Sequence, residues 1–429
     1  MYAFISAIVR VLKKIVPEPV VEFFRRPYHR ALAFLMALSY GFPARRLIVL
    51  GITGTKGKST TADMLFAILR AAGHKTALLS TIRFAIDGDS EPNLHKMTLP
   101  GRGFAQALMR KALRAGCTHL VIELTSESVL QYRTSFLSLD GLIVTNIQRE
   151  HIERHGSFEN YIAAKRAIVD ELARSGKRAR VLVANEDIPE TKAFLSAKVP
   201  RTAGFSMREL SDLHTDDAHA AFLYAGVRFS IPAAGAFNAM NALAAVKLAE
   251  AFGVPPAVSA EALAKMPPVR GRVERIEAGQ HFIAVVDYAH TPDSLLALYG
   301  AFPTQRKICV LGNTGGGRDA WKRPEMGRIA DEACEKVILT NEDPYDEDPR
   351  AITDAMAAGM KRAPEVIMDR REAIRAALAA ARPGDAVLIS GKGTDPFIMG
   401  PKGSKIPWSD AQVVREELER LHFLRNGVS

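Results

Sequence analysis

The sequence predicts an α/β protein in two parts. A central doubly wound, mostly parallel sheet carries a phosphate loop, and a C-terminal Rossmann-like α/β domain follows. Three observations predict this. Residues 47–61 read as a buried strand, a glycine-rich turn and a helix start, in that order. Strand-like and helix-like segments then alternate as far as Asn185, as parallel strands joined by crossover helices require. The alternation resumes beyond Lys265-Met-Pro-Pro-Val-Arg-Gly271, whose prolines and glycine mark a linker. The expected boundaries are 1–46, a short helical segment, 47–268, a central domain, and 269–429, a C-terminal domain.

Length and composition agree with this division. A chain of 429 residues, 48% hydrophobic and 24% charged, has the make-up of an ordinary globular protein of two or three domains. The net charge of +10 suits anionic ligands. Its basic residues read as spread along the chain, so nucleic-acid binding is not expected. Cys117, Cys309 and Cys334 are far apart and contain no CxxC pair, so neither a disulfide framework nor a zinc site is expected. A reducing, cytoplasmic location fits. The longest apolar run, 31–42, is too short to span a bilayer.

Taken in order, residues 1–46 read as helical, with breaks at Pro17, Pro19 and Pro27. Apolar residues at 4, 5, 8, 9, 12 and 16 alternate with Arg10, Lys13 and Lys14. This amphipathic stretch, within 1–42, suits either peripheral contact with a membrane or packing on the protein's own body. Strands follow at 76–80, 119–124, 141–146 and 180–185, with helices at 103–115 and 161–175. Residues 200–232 read as a small antiparallel addition and 238–252 as an alanine-rich helix. The second block reads as strands at 282–287, 307–311, 336–340 and 386–390, with helices at 325–334, 350–362 and 371–381.

The chemistry starts at Gly54-Thr55-Lys56-Gly57-Lys58-Ser59-Thr60. Glycines aim successive N–H groups at an anion, and the following helix N-terminus adds positive potential. Lys58 is placed to reach a terminal phosphate, and the hydroxyl of Ser59 or Thr60 to ligate Mg²⁺. The first glycine, Gly51, stands one residue earlier than the strict nucleotide-loop spacing requires. Glu123 ends a strand of the same sheet, where carboxylates meet a metal. His151 follows another strand and is a candidate metal ligand. Lys165 is a surface lysine on the bland reading. Beside a metal, a lowered pKa would let it take up CO₂ as a carbamate. In the second block, Asp287 ends a strand and suits a ribose hydroxyl, and Arg272 suits phosphate oxygens. Glycine loops at 312–317 and 391–393 also follow strands.

The set Gly-Thr-Lys-Gly-Lys-Ser-Thr at 54–60, Thr145-Asn146…His151…His155-Gly156…Tyr161…Lys165, Gly271-Arg-Val-Glu274, Asp287-Tyr-Ala-His-Thr-Pro-Asp293 and Gly391-Lys-Gly-Thr-Asp395 resembles the Mur ligase family. The resemblance runs from Leu47 to the C-terminus and is strongest to the members that add the third residue to a muramoyl dipeptide. It implies ATP-dependent amide formation through an acyl phosphate in peptidoglycan precursor synthesis, and hence in cell-wall growth, shape and division. It implies ATP on the Gly54–Thr60 loop, with Lys58 on phosphate and Asn238 on adenine. Ser59 and Glu123 would hold one Mg²⁺, and His151 with carbamylated Lys165 a second. Arg272 and Asp287 would reach the nucleotide when the last domain closes. Thr98, Ser126, Gln131 and Arg133 would contact the muramoyl peptide, and Asp343, Gly391 and Asp395 the second substrate, a free amino acid. The enzyme is expected to be a monomer.

Several residues depart from the family pattern. Only residues 1–46 stand where the family's uridine-gripping domain would be, so a lipid-linked acceptor competes with a nucleotide-linked small molecule. Glu342-Asp-Pro-Tyr345 replaces Asp-Asn-Pro-Arg, which leaves the added amino acid open. Two other readings stand beside the leading one: a folylpolyglutamate synthase-like ligase, and a non-catalytic, membrane-associated ATP-binding scaffold.

Overall fold

A computed structural model of the chain describes residues 18–101, 103–150 and 152–426. The first sheet contains β1 (Ile48–Thr53), β2 (Thr76–Leu79), β3 (Arg83–Ile86), β4 (Asp89–Pro92), β5 (His119–Glu123), β6 (Gly141–Val144), β7 (Val181–Asn185) and β8 (Arg201–Phe205). Their order is β4-β3-β2-β5-β1-β6-β7-β8. Along this order the pairs β2-β5-β1-β6-β7-β8 are parallel, while β2–β3 and β3–β4 at one edge are antiparallel. The central strands are buried along nearly their whole length, so they read as continuous apolar runs rather than alternating ones. One face packs Leu65, Ile68 and Leu243, and the other packs Met109, Ile168 and Leu172. β1 lies between β5 and β6, so the carboxyl ends of these three strands open onto one crevice.

Two elements differ from expectation here. The hairpin strand β4, Asp-Ser-Glu-Pro, is exposed throughout and carries no apolar signal. Residues 200–232 are only partly a separate addition: β8 joins the main sheet. The antiparallel sheet is β9 (Ser211–Thr215), β10 (Ala220–Tyr224) and β11 (Val227–Ile231).

The second sheet contains β12 (Glu274–Arg275), β13 (Ile283–Val286), β14 (Lys307–Leu311), β15 (Lys336–Leu339), β16 (Glu365–Val366) and β17 (Ala386–Ile389). Their order is β12-β13-β17-β14-β15-β16, parallel except at β12. Helices Lys322–Ala333 and Arg370–Ala379 cover opposite faces. The C-terminal helix Asp410–Asn426, beyond the last element read from the sequence, packs beside Arg370–Ala379.

The N-terminal helix runs unbroken from Glu18 to Ser39 through Pro27. Pro19 stands in the first turn, where its missing N–H is no loss. Pro17 lies outside the described residues. Cys309 and Cys334 form a disulfide, against the expectation of unpaired thiols, while Cys117 is free and buried. The crossover between β14 and β15 folds Cys334 back over Cys309, with Cα atoms 6.2 Å apart despite a separation of 25 residues. Among the described residues, no helix is long and apolar enough to cross a membrane.

Candidate active site

The phosphate loop leaves β1 at Thr53 and enters the helix Lys58–Ala71. Its shape demands glycine at two points. Gly54 has φ +143°, and a Cβ there would lie 1.9 Å from Thr145 Oγ1. Gly57 has φ +80°, and a Cβ there would lie 2.3 Å from Asn241 Oδ1. The residues after β6 bolt the loop down. The Lys56 N–H donates to Asn146 Oδ1 at 2.8 Å, and Thr145 Oγ1 donates to the Lys56 carbonyl at 2.7 Å. Thr55 Oγ1 lies 2.8 Å from the Tyr161 hydroxyl.

Charged groups face this loop from a strand end, from the loop's own helix and from a second helix. Glu123 Oε2 accepts from Ser59 Oγ and from the Thr81 N–H, both at 2.9 Å. Lys58 Nζ folds back onto the Gly54 and Thr55 carbonyls at 3.1 and 2.9 Å. Lys165 is fully buried on the helix Phe158–Ala173, so the surface reading of it fails. Its Nζ donates to Gly54 O at 2.8 Å and Thr53 Oγ1 at 3.2 Å. Burial pushes the Lys58 amine below its ordinary value, against the pull of Glu123 and Glu150. Burial, with Lys58 adding repulsion, pushes Lys165 well below its own.

The second sheet closes the crevice. Asp287 accepts N–H bonds from Val273 (2.8 Å) and Ala289 (2.7 Å). Burial raises its pKa and the nearby Arg272 opposes that rise. The Arg272 guanidinium sits 4.6 Å from the Tyr288 ring centroid. Glu150 Oε1 bridges the two parts, 3.0 Å from Lys56 Nζ and 3.1 Å from His290 Nε2.

The cleft between them has a volume of about 1000 Å³. Gly54, Thr55, Lys56, Gly57, Lys58, Ser59, Thr60, Thr98, Glu123, Ser126, Gln131, Arg133, Lys165, Asn238, Arg272 and Asp287 all line it. Thr98 bonds Thr81 through their hydroxyls at 2.7 Å, Ser126 Oγ lies 3.1 Å from His155 Nε2, and Arg133 donates to the Leu99 carbonyl. Asn238 Nδ2 donates to Ala234 O at 2.8 Å. Asp343, Gly391 and Asp395 are not in the lining. Asp343 is capped instead by Lys392 Nζ at 2.8 Å and Lys96 Nζ at 2.5 Å, and Lys96 also reaches Asp395 at 3.1 Å. The Gly391 backbone lies against the Glu342 carboxylate. His151 lies outside the described residues. Thr81 and Lys96 were missed in the sequence. Thr81 acts through its backbone N–H and Lys96 sits in an irregular loop, so neither carries a local signal.

These residues fit a nucleotide and a hard cation. The glycine cradle leaves its backbone open to an anion. A serine hydroxyl paired with a buried carboxylate at the first turn of a helix is an oxygen donor set of the kind Mg²⁺ takes.

Comparison with known proteins gives a consistent picture. A family model described as Mur ligase middle domain matches residues 52–249, and one described as Mur ligase, glutamate ligase domain matches 271–393. UDP-N-acetylmuramyl-tripeptide synthetase of Roseiflexus sp. is 37% identical, over 92% of this chain and 82% of that protein. UDP-N-acetylmuramoyl-L-alanyl-D-glutamate–2,6-diaminopimelate ligase of Parabacteroides distasonis is 34% identical, over 90% and 81%. A solved structure of a ligase with that same substrate name aligns at a TM-score of 0.59 with 26% identity, over 88% of this chain and 79% of that one. Folylpolyglutamate synthase of Mycobacterium tuberculosis shares the fold, at a TM-score of 0.68 and 18% identity over 85% and 92%.

Proposed function

The chain belongs to the Mur ligase family, and from that premise we propose that it joins an amino acid to a muramoyl-dipeptide-type acceptor with ATP, in peptidoglycan precursor synthesis. One observation carries the reading. The Ser59–Glu123 pair, Lys58 and Lys165 converge on one glycine loop, with Arg272 and Asp287 facing it from the other sheet.

The chain's own groups divide the work. The loop N–H groups and Lys58 hold the nucleotide phosphates, and Lys58 exchanges its two loop carbonyls for phosphate oxygens. Ser59 and Glu123 would hold Mg²⁺, whose charge would neutralise the phosphates. Arg272 adds a guanidinium to the transferring group. Thr98, Ser126, Gln131 and Arg133 align the acceptor carboxylate, which attacks the γ-phosphate; the bond to the bridging oxygen breaks, ADP leaves and an acyl phosphate forms. The incoming amine then displaces phosphate. Alignment and charge neutralisation supply the acceleration. Asn238 lines the nucleotide's base and Asp287 its ribose. Burial lowers the Lys165 pKa and so favours the neutral amine, which adds CO₂ with loss of a proton; that carbamate, with His151, would hold a second metal ion.

Phosphate release from ATP, with muramoyl dipeptide and single amino acids supplied in turn, tests this. Release with one amino acid is expected. ATP binding with no release from any pair overturns the reading, and release that requires a folate selects the synthase alternative. Lys165→Ala should lower release by about 10²-fold or more. Full activity in that variant, indifferent to added bicarbonate, removes the carbamate.

A further inference from the structure

The N-terminal helix presents two faces. Leu32, Ala33 and Ala37 are buried against the body of the protein. Met36 packs against Gly103, and Phe34 meets the Phe136 ring at 5.7 Å. The opposite stripe is largely uncovered, with Phe34 at its edge beside Phe136. Phe34, Leu35 and Leu38 are 44%, 54% and 53% exposed, and Ala31 lies one turn before Leu35 on the same side. Beside the stripe stand the exposed arginines Arg30, Arg45 and Arg46, with Arg45 lying 4.4 Å from the Phe42 ring centroid.

The charge of this region is concentrated rather than spread. Residues 1–46 contain eight Lys or Arg against two Glu, a net +6 of the chain's +10, which corrects the even distribution read from the sequence. Between 23 and 46 there is no acidic residue. A second copy of the chain would bring the same positive charge against itself, and the basic stretch at residues 10–14 would do the same if laid on the stripe. An anionic lipid surface matches both properties, with acyl chains for the leucines and head groups for the arginines.

The stripe adjoins the cleft. Phe136 follows Gln131 and Arg133 in one loop, and Arg133 bonds Leu99 of the next. Exposed Leu94 and Met97 stand on the Leu99 loop, and exposed Leu130 ends the helix that leads into the other.

We propose that the stripe Ala31-Phe34-Leu35-Leu38, with the arginines around it, docks the protein on an anionic bilayer. The docked protein holds the cleft's acceptor end at the lipid surface. Resting on the ligase reading above, the acceptor then arrives on a lipid pyrophosphate.

Co-sedimentation of the full chain tests the docking without turnover. Vesicles of phosphatidylcholine with phosphatidylglycerol should pellet the protein, less so at high salt, and phosphatidylcholine alone should not. Leu35→Glu with Leu38→Glu should weaken pelleting at least ~10-fold while ATP binding stays unchanged. Arg30→Gln with Arg46→Gln, milder for folding, should weaken it several-fold. No pelleting by anionic vesicles at low salt overturns the proposal. So do leucine variants that pellet like the parent, or that change only its oligomeric state. For the acceptor, ATP turnover should be at least ~10-fold faster with muramoyl dipeptide on a lipid pyrophosphate in those vesicles than on UDP. The reverse preference overturns the substrate part. Docking without turnover on either carrier overturns the ligase reading and leaves the docking standing.

Discussion

Glu123 does several jobs through one oxygen. Its Oε2 receives both the Ser59 hydroxyl and the Thr81 N–H, so the carboxylate is oriented before any ligand arrives. Glu123→Gln keeps the size and removes the charge that would bind metal. ATP-dependent phosphate release should fall by roughly 10²–10³-fold, with the melting temperature little changed, as steady-state kinetics and calorimetry can check. His119 gives a different residue-scale prediction. It is buried against the His74 ring, 4.3 Å between centroids, and burial pushes its pKa down from 6.5 to about 4. The unfolded chain takes up this proton below pH 6.5 and the folded chain only near 4. The stabilising contribution is therefore complete above pH 6.5 and is lost as pH falls toward 4. Urea unfolding should show a parent that loses about 2 kcal/mol at pH 5 relative to pH 7 from this group, and His119→Gln without that loss.

Among the elements, the C-terminal helix is anchored at its first residue by a buried ion pair. Asp410 opens it and is fully buried. Its carboxylate accepts from Arg370 Nε at 2.8 Å and Nη2 at 2.6 Å, and from Trp408 Nε1 at 2.7 Å. Arg370 begins the neighbouring helix and also donates to the Ser390 carbonyl at the end of β17. One fork thus joins two helices and a strand. Asp410→Ala would strand a buried guanidinium, at a cost of about 3–5 kcal/mol in chemical denaturation. Both helices carry an apolar face at helical spacing. Arg370–Ala379 lays Ala373, Ile374, Ala377 and Leu378 on one face at helical spacing. Asp410–Asn426 likewise lays Ala411, Val414, Leu418 and Leu421 on one face, and ion pairs such as Glu417 with Arg371 and Arg375 fix how it seats on its neighbour, which no period encodes.

Across the whole molecule, the two sheets meet through charge. Lys96 of the first part reaches Asp343 and Asp395 of the second, and Glu150 joins the phosphate-loop residue Lys56 to His290. These contacts are far apart in sequence and span the cleft, so they favour the closed arrangement. Lys96→Ala removes one of them. Turnover should fall roughly tenfold, equivalent to about 1.4 kcal/mol, with ATP affinity unchanged. Small-angle scattering should show a larger radius of gyration in the variant, and an unchanged radius would speak against a closing role.

The sequence by itself determined the parallel α/β architecture, the phosphate loop and the catalytic candidates at strand ends. Each of these is a local requirement: an apolar run for a buried strand, Gly54 and Gly57 where a side chain would collide, Glu123 where a strand stops. Only the tertiary structure decided which groups meet. It buried Lys165 against the loop, gave Glu123 its Thr81 partner, joined Cys309 to Cys334, and capped Asp343 with two lysines rather than leaving it in the cleft. Such pairings depend on strand order and on how the two sheets face each other, and no local pattern encodes either.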